Sequence, residues 1–223
     1  MRNWISHHPG REHMPRHRHA RGYAALILAG GYTEAGDHGR LRVQPGHVVI
    51  HPAYEAHQDH FGSGGATVLN LPLNISYSHR ALTGYVPDPD SIARLAERDI
   101  AAAAAALEET FQPLDLRLGD WPDKLAAALA SGLDIDIGSW AAEMKLAPQS
   151  VSRGFRQAYG VSPKRYRMEQ RTLRALEQLR TWSGSLAALA AESGFADQAH
   201  LTRSLVALTG LTPRQLRVNC VQA

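Results

Sequence analysis

Hydrophobic and polar positions follow two different patterns along the chain. In the first part, strand-like segments at Tyr23–Leu28, Leu41–Val43, Val48–Ile50 and Thr67–Leu71 are separated by turns rich in glycine and proline. Short strands at close spacing are typical of a small antiparallel β-barrel or jelly roll. The pattern therefore predicts an all-β domain over residues 1–85.

A helical pattern begins after the proline-containing break at residues 86–90. From Ser91 to Phe111, apolar residues recur at spacings of three and four, which predicts one amphipathic helix with Ser91 as its N-cap. Such a stripe suits either packing on the β domain or pairing with a second subunit. The sequence therefore predicts a helical linker over 86–118, a candidate dimerisation helix, and both alternatives stay open.

The remaining residues, 119–223, contain an internal repeat at an offset of 50 residues. Ser152–Arg167 aligns with Thr202–Arg217, with arginine, glycine, proline and a final arginine in common. A short helical stretch and a tight connection precede each copy. This order of helix, turn and second helix is the helix-turn-helix pattern, predicted over about 137–159 and 185–209.

The connections of the two predicted motifs differ in one residue. Gly194 suits a turn that needs positive φ, whereas its counterpart Lys145 is strained in that conformation. Asp197 is a good N-cap for the second helix that follows. In each second helix the expected core positions recur at helical spacing; they are Val151, Phe155 and Ala158 in the first, and Leu201, Leu205 and Leu208 in the second.

The opposite face of each second helix carries side chains suited to contacting bases. Gln and Arg make bidentate contacts with adenine and guanine edges, while Ser, Thr and Ala fill around them or touch a thymine methyl. An ion pair to a neighbouring helix is the alternative for Arg153 and Arg203. The base-reading candidates are Gln149, Ser150, Ser152, Arg153, Arg156, Gln198, Ala199, Thr202 and Arg203. The candidate phosphate contacts, which set affinity rather than sequence preference, are Lys164, Arg165, Arg167, Arg171, Arg174 and Arg214.

The charge distribution also indicates that the partner is DNA. The net charge is only +3, but residues 145–217 contain 12 basic and 4 acidic side chains, whereas residues 86–118 contain 3 and 7. A basic segment of this kind is expected to bind double-stranded DNA. The chain has no apolar run of about 20 residues and no apolar leader, and its one cysteine, Cys220, cannot form an internal disulfide. We therefore expect a cytoplasmic protein that does not bind membranes.

Two helix-turn-helix motifs joined by a long helix, with GFADQAHLTR at 194–203 and TGLTPRQLR at 209–217, resemble the AraC family of bacterial transcription regulators. The resemblance covers about Trp121 to Val218. It implies that both second helices enter successive major-groove segments about one helical turn apart. The chain departs from the family pattern at Lys145, Ala147 and Gly154, which predicts a less stable first motif.

Eleven of the 12 histidines lie before position 80. Regulators of this family often carry an N-terminal cupin-like sensor domain, and the sequence matches the cupin pattern in part. His17 and His19, followed by Tyr23 and Gly30, follow its first motif, with Tyr23 in place of the metal-binding glutamate. Gly46, Pro52 and His57 follow its second motif, in which Tyr54 replaces a glycine and Phe61 replaces the last polar residue.

The two partial cupin motifs predict a candidate metal site. His17 and His19 lie on the same side of an extended strand, and His57 from the opposing hairpin would complete a His cluster that suits Zn, Ni, Fe or Mn. The alternative is that the three line a pocket without metal. An incomplete ligand set disfavours catalysis, so we expect no enzyme.

Together these features predict an α+β two-domain protein: an N-terminal antiparallel β cupin-like barrel, a helical linker and a C-terminal all-α double helix-turn-helix. The predicted function is a sequence-specific transcription regulator, a homodimer controlled by a small molecule or a metal in the N-terminal domain. Two alternatives stay open: a metal-dependent cupin enzyme with a helical appendage, and a DNA-binding regulator without an effector.

Overall fold

The computed structural model describes residues 4–73 and 81–221, which fall into two compact units. The first unit extends to Asp123 and includes Ala158–Gly160, and the second comprises Lys124–Gln157 and the chain from Val161. The outer limits of the predicted domains, at residues 1 and 223, lie outside the described residues. Among the helices of the described ranges, none is long and apolar enough to cross a membrane.

The first unit is built on one antiparallel sheet. Two of its strands are much longer than the others, β3 (Tyr23–Gly36) and β6 (Ala56–Pro72), and they pair along most of their length. The shorter strands are β1 (Ile5–His8), β2 (His13–Arg18), β4 (Gly39–Val43), β5 (His47–His51), β7 (Thr83–Tyr85) and β8 (Gln112–Pro113). The sheet order is β1-β6-β3-β5-β7-β8, with β2 on β6 and β4 on β3. The predicted antiparallel β class of this part is confirmed.

The two long strands bend where their pairing register shifts, after Ile27 and after Gly30. Gly30 has a φ of 71°, and a Cβ there would lie 1.9 Å from the carbonyl oxygen of Gly65. No larger residue fits this close approach of the two strands. As a result, the first half of β3 pairs with β5 and the second half with β4, and the sheet encloses a cavity.

Residues 86–118, predicted as a linker with one helix, form part of the first unit and contain two helices. They are α1 (Pro89–Ala96), capped by Asp88 rather than Ser91, and α2 (Ile100–Thr110), capped by Asp99. The single-helix prediction was wrong because the Asp99 carboxylate accepts hydrogen bonds from the amides of Ala101 and Ala102 and so begins a new helix.

The apolar face of α1 and α2 packs on the sheet. Ile92, Ala103 and Leu107 are buried in one cluster with alternate residues of β3, β5 and β6, such as Leu26 and Ile50. The opposite face of the sheet holds a second cluster that includes Ile27, Val49 and Val68. Of the two interpretations of this stripe, the structure shows packing on the β domain; the pairing of subunits stays a prediction.

From Trp121 onwards the described chain is all-α, as predicted. Its helices are α3 (Trp121–Ala130), α4 (Ile137–Glu143), α5 (Pro148–Tyr159), α6 (Pro163–Leu179), α7 (Leu186–Glu192), α8 (Gln198–Thr209) and α9 (Pro213–Val221). α4 and α5 form the first helix-turn-helix motif, α7 and α8 the second, and α6 connects them. The predicted core positions Val151, Phe155, Leu201 and Leu205 are fully buried, and Ala158 and Leu208 are half-buried.

The two motifs have the same local geometry. α5 and α8 each have 12 residues at an offset of 50, and both are followed by a glycine with φ of 73°, Gly160 and Gly210. In each turn one amide donates a hydrogen bond back to the first helix. The Leu146 amide donates to Ala141 O and the Phe195 amide to Ala190 O, both at 2.8 Å. The internal repeat of the sequence is thus a structural repeat.

The turns also show the predicted difference in strain. Gly194 has a φ of 73°, and its counterpart Lys145 has a φ of 56°. Left-handed backbone is unfavourable for a residue with a Cβ but not for glycine. In addition, Asp197 caps α8 through the amide of His200 at 2.6 Å, as predicted.

Candidate functional site

The base-reading candidates lie together on the outer faces of α5 and α8. Eight of the nine are exposed, and Thr202 is half-buried. Arg153 and Arg203 occupy equivalent positions at the offset of 50, next to Ser152 and Thr202, respectively. Neither guanidinium forms an ion pair within the described part of the chain, in contrast to the alternative weighed for them. Both side chains are therefore available to an external acceptor.

The six phosphate candidates fall into two groups. Lys164, Arg165 and Arg214 are exposed, although Arg165 also pairs with Glu169 at 2.9 Å. The other three donate hydrogen bonds to backbone carbonyls of their own unit: Arg167 to Ile135 O, Arg171 to Gly194 O at 2.9 Å and Arg174 to Ala130 O at 2.6 Å. These three guanidiniums thus support the domain itself, a role that spacing along α6 does not reveal.

The arginine shared at the end of the repeat has a matching structural role. Arg167 donates to the carbonyl of Ile135, one residue before Asp136, the N-cap of α4. Arg217 donates to the carbonyl of Gly184 at 3.3 Å, one residue before the N-cap of α7. Each motif therefore has an arginine that holds the entry to its first helix.

A second candidate site is the cavity enclosed by the sheet of the first unit, hereafter the sheet cavity, of about 390 Å³. Its wall is unusual in combining imidazoles, carboxylates and aromatic rings, and no lysine or arginine is among the described residues that line it. The lining residues are Ser6, His8, Met14, His17, His19, Tyr23, Ala25, Tyr32, Glu34, His51, His57, Asp59, Phe61, Val68 and Asn70.

The three predicted metal ligands meet in this cavity. The ring centroids of His17 and His57 are 4.4 Å apart, those of His17 and His19 4.9 Å, and those of His19 and His57 5.5 Å. One ring nitrogen from each lies within 4.8 Å of the others. Tyr23, at the position of the cupin glutamate, has its hydroxyl 3.3 Å from Nε2 of His57. The predicted residues are thus close enough to share one ion.

A deeper group of titratable side chains was not selected by any spacing in the sequence, although His51, like His47 and His60, was a possible additional ligand. Glu34, Glu55 and Asp59 are buried carboxyl groups, and His51 is a buried imidazole. Pairing in the sheet explains their position, because Glu34 lies opposite Asp59 and Tyr23 lies opposite His51. Side chains alternate between the two faces of a strand, and Asp59 lies two residues after His57 in β6, so both face the same side. This spacing could have predicted Asp59 as a cavity residue.

Burial determines the protonation of these groups. It lowers the pKa of His51 to about 3, with a contribution from His19, and it also lowers the pKa of His57. Burial raises the pKa of Asp59 to about 7, with a contribution from Glu55, and raises the pKa of Glu34 well above its usual range. At neutral pH the buried imidazoles are therefore neutral, the form that binds metals.

A further residue of the predicted cupin motifs has an unusual backbone. Tyr54, which stands where the motif has a glycine, has a φ of 67°, in the left-handed region. Its amide donates to the carbonyl of His19 at 2.8 Å and so joins the two predicted cupin motifs.

Comparison with known proteins identifies the second unit. Residues 140–219 match the family model of a helix-turn-helix domain. The arabinose operon regulatory protein of Escherichia coli is 28% identical over 166 residues, covering 74% of this chain and 54% of that protein. Its counterpart from Salmonella typhimurium is 31% identical over 127 residues, covering 56% and 45%, respectively. The chain thus spans about half the length of the relatives that it matches.

Among solved structures, a transcriptional regulator with an AraC-type DNA-binding domain from Chromobacterium violaceum is similar at 22% identity and a TM-score of 0.41, covering 44% of this chain and 89% of that one. The residues that match the family model include the motifs at 194–203 and 209–217. Residues 140–219 of this chain therefore form a helix-turn-helix domain.

Proposed function

We propose that this protein is a transcription regulator that binds a specific double-stranded DNA sequence through α5 and α8. We also propose that it acts in the cytoplasm as a homodimer and that a small molecule or a metal ion in the sheet cavity controls it. The relatives that it matches are named as operon regulatory proteins.

The observation that carries the proposal is the pair Arg153 and Arg203. Each lies on the exposed face of a motif's second helix, at the same position of the repeat, without an ion-pair partner in the described residues. A solvated arginine on such a face is free to make a bidentate contact with a guanine, worth about 1–3 kcal/mol of discrimination. Two equivalent helices predict a site with two separate half-sites in successive major-groove segments.

The experiment is selection of bound DNA from a random pool with the full chain, followed by affinity measurements on the selected site. We expect Arg203→Ala to lose about 1–3 kcal/mol, concentrated at one base pair, and Arg153→Ala to do the same in the other half-site. Arg98→Ala, which removes an equal charge from the exposed loop between α1 and α2, is the matched control. The proposal fails if no sequence is enriched, with or without added divalent metal.

The sensing part of the proposal rests on the sheet cavity. A ligand that binds only the folded state raises the unfolding temperature, and the stabilisation grows with the logarithm of the ligand concentration relative to its Kd. We therefore expect a thermal-shift screen of metals and small metabolites to yield at least one ligand for the wild-type chain. If no compound shifts the transition, the proposal of an effector in the sheet cavity fails.

A further inference from the structure

The sheet cavity contains a set of metal-ligating side chains other than the predicted histidine cluster. Glu34, His51 and His57 are 1%, 2% and 2% exposed, and one ligand atom from each lies within 4.8 Å of the others. They come from β3, β5 and the start of β6, so the pairing of the sheet holds them in place. Hereafter we call this set the inner triad.

The orientation of His51 suits metal binding. Its Nε2 lies 3.6 Å from Oε2 of Glu34, and its Nδ1 lies 3.3 Å from Oε2 of Glu55. If both atoms bound the same ion with bonds of about 2.0–2.2 Å, they would lie about as far apart as Nε2 of His51 and Oε2 of Glu34 do here. A metal-binding histidine usually has its other ring nitrogen against a carboxylate, which fixes the ring and its tautomer. Glu55 is the carboxyl group within reach of that role, and its 3.3 Å contact with Nδ1 of His51 is not a hydrogen bond in the present geometry.

The inner triad also contains polar atoms that lack partners. Oε2 of Glu34 and Nδ1 of His57 are buried and make no hydrogen bond within the described residues. A buried polar atom without a partner costs about 1–3 kcal/mol. A cation bound by Glu34 would give its unpartnered oxygen a ligand bond, whereas an anion would find no lysine or arginine in the described lining of the cavity.

We propose that the sheet cavity binds a divalent transition-metal ion through Glu34, His51 and His57. Glu34 supplies the carboxylate that Tyr23 cannot supply from the cupin position, and Glu55 positions His51. His57 belongs to both candidate sets, so a single ion can occupy only one of them. The inner triad has the carboxyl ligand and the deeper position. Two imidazoles and one carboxylate suit Zn, Fe or Mn. This assignment rests on the proposed sensing function and names its effector class.

Cobalt(II) binding to the full chain tests the proposal. We expect saturable binding with a d–d absorption spectrum, competed by Zn²⁺. Glu34→Gln and His51→Gln should each weaken binding at least about tenfold, since even groups outside the ligand set typically contribute 10–100-fold. His19→Gln should change the affinity less than threefold. His13→Gln is the control for surface binding, because His13 and His60 form an exposed stacked pair with centroids 4.2 Å apart.

X-ray absorption of the Zn²⁺ complex of the wild type gives an answer even if a variant does not fold. Two imidazoles with oxygen ligands support the inner triad, and three imidazoles assign the ion to His17, His19 and His57 and overturn the proposal. Absence of saturable binding at millimolar Co²⁺, or loss of all binding in His13→Gln, also overturns it. DNA selection is measured separately, so a chain that selects DNA but binds no metal refutes this inference and leaves the proposed DNA-binding function standing.

Discussion

Replacing Lys145 with glycine should stabilise the second unit. The residue occupies the turn of the first motif with a φ of 56°, a conformation that costs a residue with a Cβ about 1–2 kcal/mol. Glycine removes this cost but adds about 0.4–1 kcal/mol of conformational entropy to the unfolded chain. The difference predicts a net gain of about 0.5–1 kcal/mol for Lys145→Gly.

The second motif offers the reverse substitution. Gly194 has a φ of 73°, and a Cβ there would lie 3.7 Å from the nearest atoms, on the Arg171 guanidinium, which is ordinary contact. Gly194→Lys should therefore lose about the same free energy through the backbone alone. Lys145→Ala keeps the Cβ and the strain, so its stability should stay within about 0.5 kcal/mol of the wild type.

Thermal unfolding of the full chain, followed by far-ultraviolet circular dichroism, measures the effect. For a cooperative unit of about 100 residues, 1 kcal/mol corresponds to a shift in Tm of about 4–8 °C. We expect an upward shift for Lys145→Gly and a downward shift for Gly194→Lys. If Lys145→Gly is neutral or destabilising while Gly194→Lys behaves as expected, backbone strain at Lys145 is not the reason for the difference between the motifs.

The remaining predictions concern DNA affinity and local stability. Lys164→Ala should weaken binding to all DNA sequences equally and reduce the salt slope by about 1; a loss confined to one base pair would contradict a phosphate contact. Arg171→Met removes the hydrogen bond to Gly194 O and should lower stability by about 1 kcal/mol in urea unfolding, and an unchanged midpoint would count against its supporting role. Asp99→Ala should destabilise the first unit by about 1 kcal/mol, as measured by its thermal transition; no change would mean that the cap does not separate α1 from α2.

The helical part of the fold was predictable because its signals are local. Helical periodicity, the repeat at an offset of 50 and the caps each act within a few residues, and they placed α5, α8 and their buried faces. The positive φ at Gly194 and Lys145 also followed from a local requirement of the turn. The break between α1 and α2 was equally local, but the cap at Asp99 lay inside a continuous apolar pattern that obscured it.

The roles of the arginines were not predictable from the sequence. Lys164, Arg167 and Arg171 all lie on α6 in a basic segment, and composition treats them alike. The structure shows that Arg167 and Arg171 donate to carbonyls 32 and 23 residues away, while Lys164 stays exposed. Such contacts depend on how the helices pack, which the order of residues along one helix does not contain.

The sequence by itself determined the β part, the helical part and the helix-turn-helix repeat, because each depends on spacing within one segment. It also selected the histidines that meet in the sheet cavity, through two separate short motifs that contain His17 and His57. Only the tertiary structure decided which buried groups join those histidines. Glu34, His51 and His57 come from three strands, and the register of the sheet brings them together. A side chain's neighbours across a sheet are set by pairing between distant segments, so the inner triad became visible only once β3, β5 and β6 were in place.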